Sequence, residues 1–291
     1  MWSVEVVGSS VASGFLLGGI LALTALGLSI VLGVMRLVNL AHGELLVGGA
    51  YAGLFLLQLT GIDPLLGLVL VGAFIALLSV PVYRFLLAPL AGTGAEAPMM
   101  TTFGISIILQ NVFILFFSAD TRSIERNYAT AALTIGPVTV AWIYLIGFLI
   151  SVVVIVLVHL LVSRTGFGRD LRASATDAGA AAAIGVDVRR VHLLTFALGA
   201  ACAAIGGTLI GITFSFTPTI GAGYLLTDFA IVVLGGLGNI FGTLVGGIML
   251  GVLESFGAVV LGSDGYRELI GLLVFLIALA LRPQGLLAGS G

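Results

Sequence analysis

Long runs of Leu, Val, Ile, Ala, Gly and Phe alternate with short polar connections along this chain. The runs cover residues 11–32, 37–59, 64–87, 99–117, 140–162 and 191–214, then a pair within 227–261, and finally 269–281. None shows the strict alternation of a half-buried strand, and most approach the ~20 residues with which a helix crosses a hydrocarbon core about 30 Å thick. Lipid offers backbone N–H and C=O groups no partner, so such runs close their hydrogen bonds internally. The predicted fold is all-α: a polytopic transmembrane bundle of eight or nine hydrophobic segments, forming one domain over residues 1–291. The count stays open because Gly235, Gly236 and Gly238 crowd Asn239. So much glycine breaks a helix where it is buried in protein. Residues 227–261 are therefore one kinked helix or two segments.

Composition agrees with the pattern. Of 291 residues, 60% are hydrophobic and only 8% charged, and the mean hydropathy is +1.27. A soluble globule of this size would lack the polar groups to clothe its surface. The first ten residues hold Glu5 but no Lys or Arg, unlike a basic secretory leader, so residues 11–32 read as a permanent span. All 11 basic residues are Arg. Without Lys the chain cannot form a conventional phosphate-binding P-loop. Cys202 is alone in the sequence, which leaves neither a disulfide framework nor a zinc site, and no metal or catalytic set is predicted.

Eight of the 24 charged residues fall within residues 164–190. Five of them are Arg164, Arg169, Arg172, Arg189 and Arg190, which mark this island as cytoplasmic, since loops rich in Arg tend to stay inside. Parity then puts Arg36 and Arg84 on the same side and the amino terminus outside. Arg122 and Arg126 oppose this scheme. Within the island, Ser174 is read as the cap of a helix near residues 175–184 with Asp177 at its third position, and Gly185 as its stop. From physics alone this is either a docking device or a solvated loop that sets topology.

Three groups of polar residues interrupt the apolar runs. Asn39, His42, Gly43 and Glu44 sit together, with Asn39 and His42 on one predicted helical face and Gly43 a candidate break. An imidazole and a carboxylate are costly to desolvate and usually face a bundle interior or a cavity. They line a translocation path or gate, or they only fix packing. Asp228 is read as a cap beside Thr227 at a span entrance, and a buried Glu254 would need a partner or a proton. Gln110 and Asn111 bond across helices or meet a substrate. The spacings Gly242-x-x-x-Gly246 and Gly247-x-x-x-Gly251 suggest close helix packing.

The island segment RASATDAGAAAAIGVDVRRV, residues 172–191, resembles the coupling loop of permease subunits in bacterial branched-chain amino acid ABC importers. The matching positions are Arg172, Ala173, Asp177, Ala181, Ala182, Gly185 and Val186. Residues 33–51, with Asn39 and Ala41-His42-Gly43, resemble that family's hallmark near its second span. Residues 235–251 and the ending Arg-Pro-Gln-Gly-Leu at 282–286 are similar too, and the LivH-type is the nearer of the family's two permeases. Phe241 with Asn239, where members often carry a Pro and another small residue, departs from the pattern. The resemblance implies a prokaryotic inner-membrane importer built from two permeases, the second non-identical, with two ATPase subunits and an external substrate-binding protein. ATP and magnesium would be bound by those ATPases, and no cofactor by this chain. Its cargo would be branched-chain or related hydrophobic amino acids. Urea, short amides and simple sugars remain alternatives, as does an ion-coupled transporter using His42, Glu44 or Glu254 as a proton relay. Nothing points to nucleic acid.

Overall fold

An apolar run of 32 residues without proline becomes the longest helix, α1 (Val4–Met35), and it is the central post of the structure. A computed structural model describes residues 4–281. After α1 come α2 (His42–Thr60), α3 (Leu68–Val82) and α4 (Glu96–Phe117), with a π-helical turn at Tyr83–Leu87 after Pro81. A short α5 (Asn127–Thr130) and a hairpin of β1 (Ala132–Ile135) and β2 (Val138–Ala141) lead into α6 (Trp142–Arg164). The island holds α7 (Gly166–Thr176) and α8 (Ala178–Ala183). The chain continues through α9 (Val188–Thr213), α10 (Gly221–Gly235), α11 (Ile240–Leu261) and α12 (Arg267–Leu281). Among the described residues seven helical stretches are long and apolar enough to cross a membrane, α3 doing so together with the turns that continue it to Leu90, and α10 and α12 are shorter apolar helices. The expectation of eight or nine hydrophobic helical segments therefore holds. The similarity seen at residues 282–286, and Arg282 itself, lie outside the described residues.

Residues 227–261 are two segments. The chain leaves α10 through Gly236 and Gly238, both at positive φ (86° and 74°), and Asn239 then caps α11 by accepting from Gly242 N at 2.9 Å. Both glycine spacings in α11 mark contacts. Gly247 and Gly251 lie against the backbone of Gly14 and Gly18 in α1, and Gly242 and Gly246 against Gly235 of α10. Small residues let the backbones approach and gain dispersion contacts that Leu on lipid lacks.

The helix ends sort into two groups. At one end the loop after α2, the hairpin, the start of α1 and the loop after α9 meet: Thr139 N bonds Ser9 Oγ at 2.9 Å, Tyr128 donates to Asp63 at 2.8 Å, and Arg122 bridges Phe216. At the other end the island, the end of α1, the π-helical turn and the α10–α11 break come together, with Gly238 N on Ser29 Oγ at 3.2 Å.

The amino end of α2 corrects one expectation. Residues 36–41 are not helical, and α2 starts at His42, so Asn39 and His42 do not share a helical face. Asn39 instead turns the chain, its Oδ1 accepting from Ala41 N at 3.1 Å and its carbonyl from His42 N at 3.2 Å. Thr102 of α4 completes the turn by bonding Leu40 N and Val38 O, each at 3.2 Å. Side chains that offer the backbone other partners compete with the helix ladder.

Candidate functional site

Thr24 lies 11 positions before Met35, so on a straight helix it sits about 16 Å inside the island end of α1. His42, the first residue of α2, donates from Nε2 to Thr24 O at 3.0 Å. Residues 36–41 therefore run back into the bundle, a distance that six extended residues can cover at about 3.3 Å each. As a result α2 begins near the middle of α1, and α10 begins beside it. A Cβ on Gly43 would collide with the Gly221 carbonyl, and one on Gly221 would stand 2.7 Å from Glu44 Oε1. Two helix amino termini, each with a partial positive charge, thus meet inside the bundle, and Glu44 supplies a carboxylate to both.

Asp228 joins this centre, which overturns its reading as an entrance cap. It lies in the middle of α10 and is 0% exposed, held by Thr24 Oγ1 at 2.6 Å. Its other oxygen stands 3.6 Å from His42 Nε2. Capping preference is a local prior, and burial by α1 overrides it. Thr24 carried no signal in the sequence, being one hydroxyl in a Leu-rich run. Gly221 was equally silent among 42 glycines.

Beside this centre a groove of about 600 Å³ runs between α2, α3 and α4. That size falls within the ~300–1,000 Å³ of small-molecule sites. Its walls are chiefly apolar, among them Leu45, Phe55, Phe74, Ile75, Phe113 and Phe117, and Glu44 and Tyr51 face it from α2. The Tyr51 ring stacks on Phe117 with centroids 4.0 Å apart. Asn39 lines this groove, while His42 and Gly43 support it from behind. Gln110 and Asn111 are not drawn into the centre. The exposed Asn111 bonds its own helix at Ile107 O, 2.8 Å away. Glu254 is buried elsewhere, sharing a second cavity of about 550 Å³ with Arg267 near the end opposite the island.

The island is a folded device, with its cap one turn later than expected. Ser174 lies inside α7 on its buried face, so it caps nothing. Asp177 separates α7 from α8 and is the true cap, its Oδ1 accepting from Gly179 N at 2.8 Å and Ala180 N at 3.0 Å. Gly185 ends the turn at φ 94° as expected. Arg172 donates to the Val162 carbonyl at the end of α6, which fastens α7 to its neighbour. Ala173 is half-buried and Ala181 fully so (3% exposed), whereas Ala182 and Ile184 face outward, Ile184 at 79%. Leu171 on the inner face of α7 is buried in the same apolar core as Val34 of α1 and Val158 of α6, and α7 lies against both helices.

Comparison with known proteins gives this arrangement its context. The family described as branched-chain amino acid transport system, permease component, matches residues 10–279. The branched-chain amino acid permease protein BraD of Pseudomonas aeruginosa is 32% identical over 288 residues, covering 94% of each chain. The permease protein LivH of Escherichia coli is 28% identical over 296 residues, 94% of this chain and 93% of that one. The fructose import permease FrcC of Rhizobium meliloti is 34% identical over only 148 residues, 48% of this chain and 41% of its own. No solved structure matches. A multi-helical bundle with a polar centre, an apolar groove and a folded polar loop defines a membrane-embedded permease subunit. The chain belongs to the family of branched-chain amino acid transport permease components.

Proposed function

We propose that this chain forms half of the membrane path of an ATP-driven importer for branched-chain or related hydrophobic amino acids. An external binding protein delivers the cargo, two ATPase subunits supply the drive, and a second, non-identical permease completes the path. The observation that carries this reading is the near full-length likeness to BraD and LivH, whereas the likeness to a sugar permease stops at half the chain.

The island end faces the cytoplasm in this reading. Five island arginines together with Arg36 and Arg84 make seven at that end, against Arg122, Arg126 and Arg267 at the other, and Arg-rich connections stay inside. The exceptions have structural work: Arg126 pairs with Asp63 at 3.4 Å, and Arg122 donates to Phe117 O at 3.1 Å. The exposed face of α8 with Ile184 seats on an ATPase, and α7 carries the motion inward because it lies against α1 and α6. Closure of the motor moves the spans only if its grip differs between the two permease states.

The test uses proteoliposomes holding the assembled complex and the binding protein. Leucine uptake that needs ATP on the motor side and ignores a proton gradient supports the reading. Uptake driven by the gradient alone would transfer the role to the Thr24–His42–Asp228 cluster as a proton relay.

A further inference from the structure

Five side chains with hydroxyl, amide or carboxylate groups line the groove between α2, α3 and α4, and three of them are already committed. Asn39 accepts from Ala41 N at 3.1 Å, Ser79 donates to Ala76 O at 2.7 Å, and Thr102 bonds Met99 O at 2.9 Å. The other two are Glu44 and Tyr51, seven residues apart on one face of α2 and so about 10.5 Å apart along its axis. Glu44 Oε2 and Tyr51 Oη are both buried without a hydrogen-bond partner. Glu44 is only 2% exposed, and its other oxygen has Ser106 Oγ of α4 at 3.4 Å. Among the described residues no Arg or His lines the groove. Two helix amino termini account for a carboxylate at this point in the chain, but they leave one of its oxygens bare in apolar surroundings.

Resting on the function proposed above, we infer that Glu44 is the recognition point for the ammonium group of the transported amino acid, whose aliphatic side chain lies on the groove's apolar walls. The match is one of charge, geometry and surface. A primary ammonium offers three donors to an oxygen that has none, and the charge it brings is the one the groove lacks. Phe113, Ile75 and Leu45 line the same groove with carbon and impose no fixed shape, which suits several branched side chains. Tyr51 lies toward the opposite end from the island and is a second polar stop along the same wall. A sugar or a neutral amide brings no cation to Glu44, so the residue favours amines within the path itself, in addition to any choice made by the binding protein.

The experiment compares wild type with Glu44→Gln and Glu44→Asp in the complete complex, reading radiolabelled leucine moved per ATP hydrolysed together with the thermal midpoint of each complex. For Glu44→Gln the ratio falls roughly ten- to hundredfold, the worth of a charge-assisted hydrogen bond, and Glu44→Asp recovers much of it. A Gln variant whose ratio stays within about twofold of wild type, inside the usual effect of a neutral substitution, overturns the inference. So does a parallel loss of uptake, hydrolysis and thermal midpoint in both variants, which is the mark of a packing role. A wild-type complex that hydrolyses ATP but moves no leucine overturns the proposed cargo, and this inference with it, before any variant is compared.

Discussion

Thr24 of α1 and Asp228 of α10, 204 positions apart, share a hydrogen bond of 2.6 Å at the buried centre of the bundle. The same hydroxyl lies 2.7 Å from Leu21 O, so one proton serves two acceptors, and His42 on α2 bonds the carbonyl of the same threonine. Three helices are pinned at one residue. Replacing Asp228 with Ala removes the pin from α10 and is expected to cost about 1–3 kcal/mol of stability. Asp228→Asn keeps an acceptor for Thr24 and is expected to lose less. Thermal or denaturant melting of the purified complex checks the order.

The meeting of Gly43 and Gly221 makes a second prediction. A methyl group on Gly43 runs into the Gly221 backbone and forces the starts of α2 and α10 apart, and one on Gly221 displaces the Glu44 carboxylate and crowds Gly43; such overpacking costs about 1–3 kcal/mol. Gly43→Ala and Gly221→Ala should each lower the thermal midpoint and the yield of assembled complex. Gly104→Ala is the control, because nothing lies within 4 Å of a Cβ there. Alanine favours helix over glycine by up to about 1 kcal/mol, so that variant should be neutral or slightly stabilised.

On the island, Ile184 is the large apolar side chain left bare at the end of α8. Ile184→Asp is expected to weaken ATPase association at least tenfold, since removing a buried apolar anchor from an interface typically costs about 1.5–3 kcal/mol. Membrane insertion and the thermal midpoint of the isolated chain should not change. Co-purification of the ATPase against chain yield reads both.

Asp177→Ala acts on the same surface by another route. Loss of a cap holding two N–H groups costs about 1 kcal/mol, enough to fray a helix of six residues. The expected result is a partial loss of ATPase association, recovered by Asp177→Ser or Asp177→Asn. Recovery by those two but not by Ala identifies the cap, and equal loss in all three would instead assign the effect to the charge.

Much of this architecture was legible along the chain because lipid makes secondary structure local: an apolar run closes its own hydrogen bonds wherever it ends up. The crowding of Gly235, Gly236 and Gly238 around Asn239 marked residues 227–261 as kinked or broken, and the positive φ of Gly236 and Gly238 with Asn239 as a cap decided for two helices. Even the island's short helix was foreseen. Its cap was misplaced because Ser174 and Asp177 both have capping chemistry, and the choice fell to burial of Ser174 against the bundle. The start of α2 was missed by five residues, since Asn39 turns the chain with the help of Thr102, 63 positions away.

Residue chemistry by itself determined that the chain lies in a membrane as helices, that one arginine-rich loop stands in water, and that His42, Glu44, Asp228 and Glu254 are costly where they are. Only the tertiary structure decided what those residues face. Whether a buried carboxylate ends up beside an imidazole, as Asp228 does beside His42, or on the wall of an apolar groove, as Glu44 does, depends on helices brought together across the whole chain. No spacing along the sequence encodes that distance.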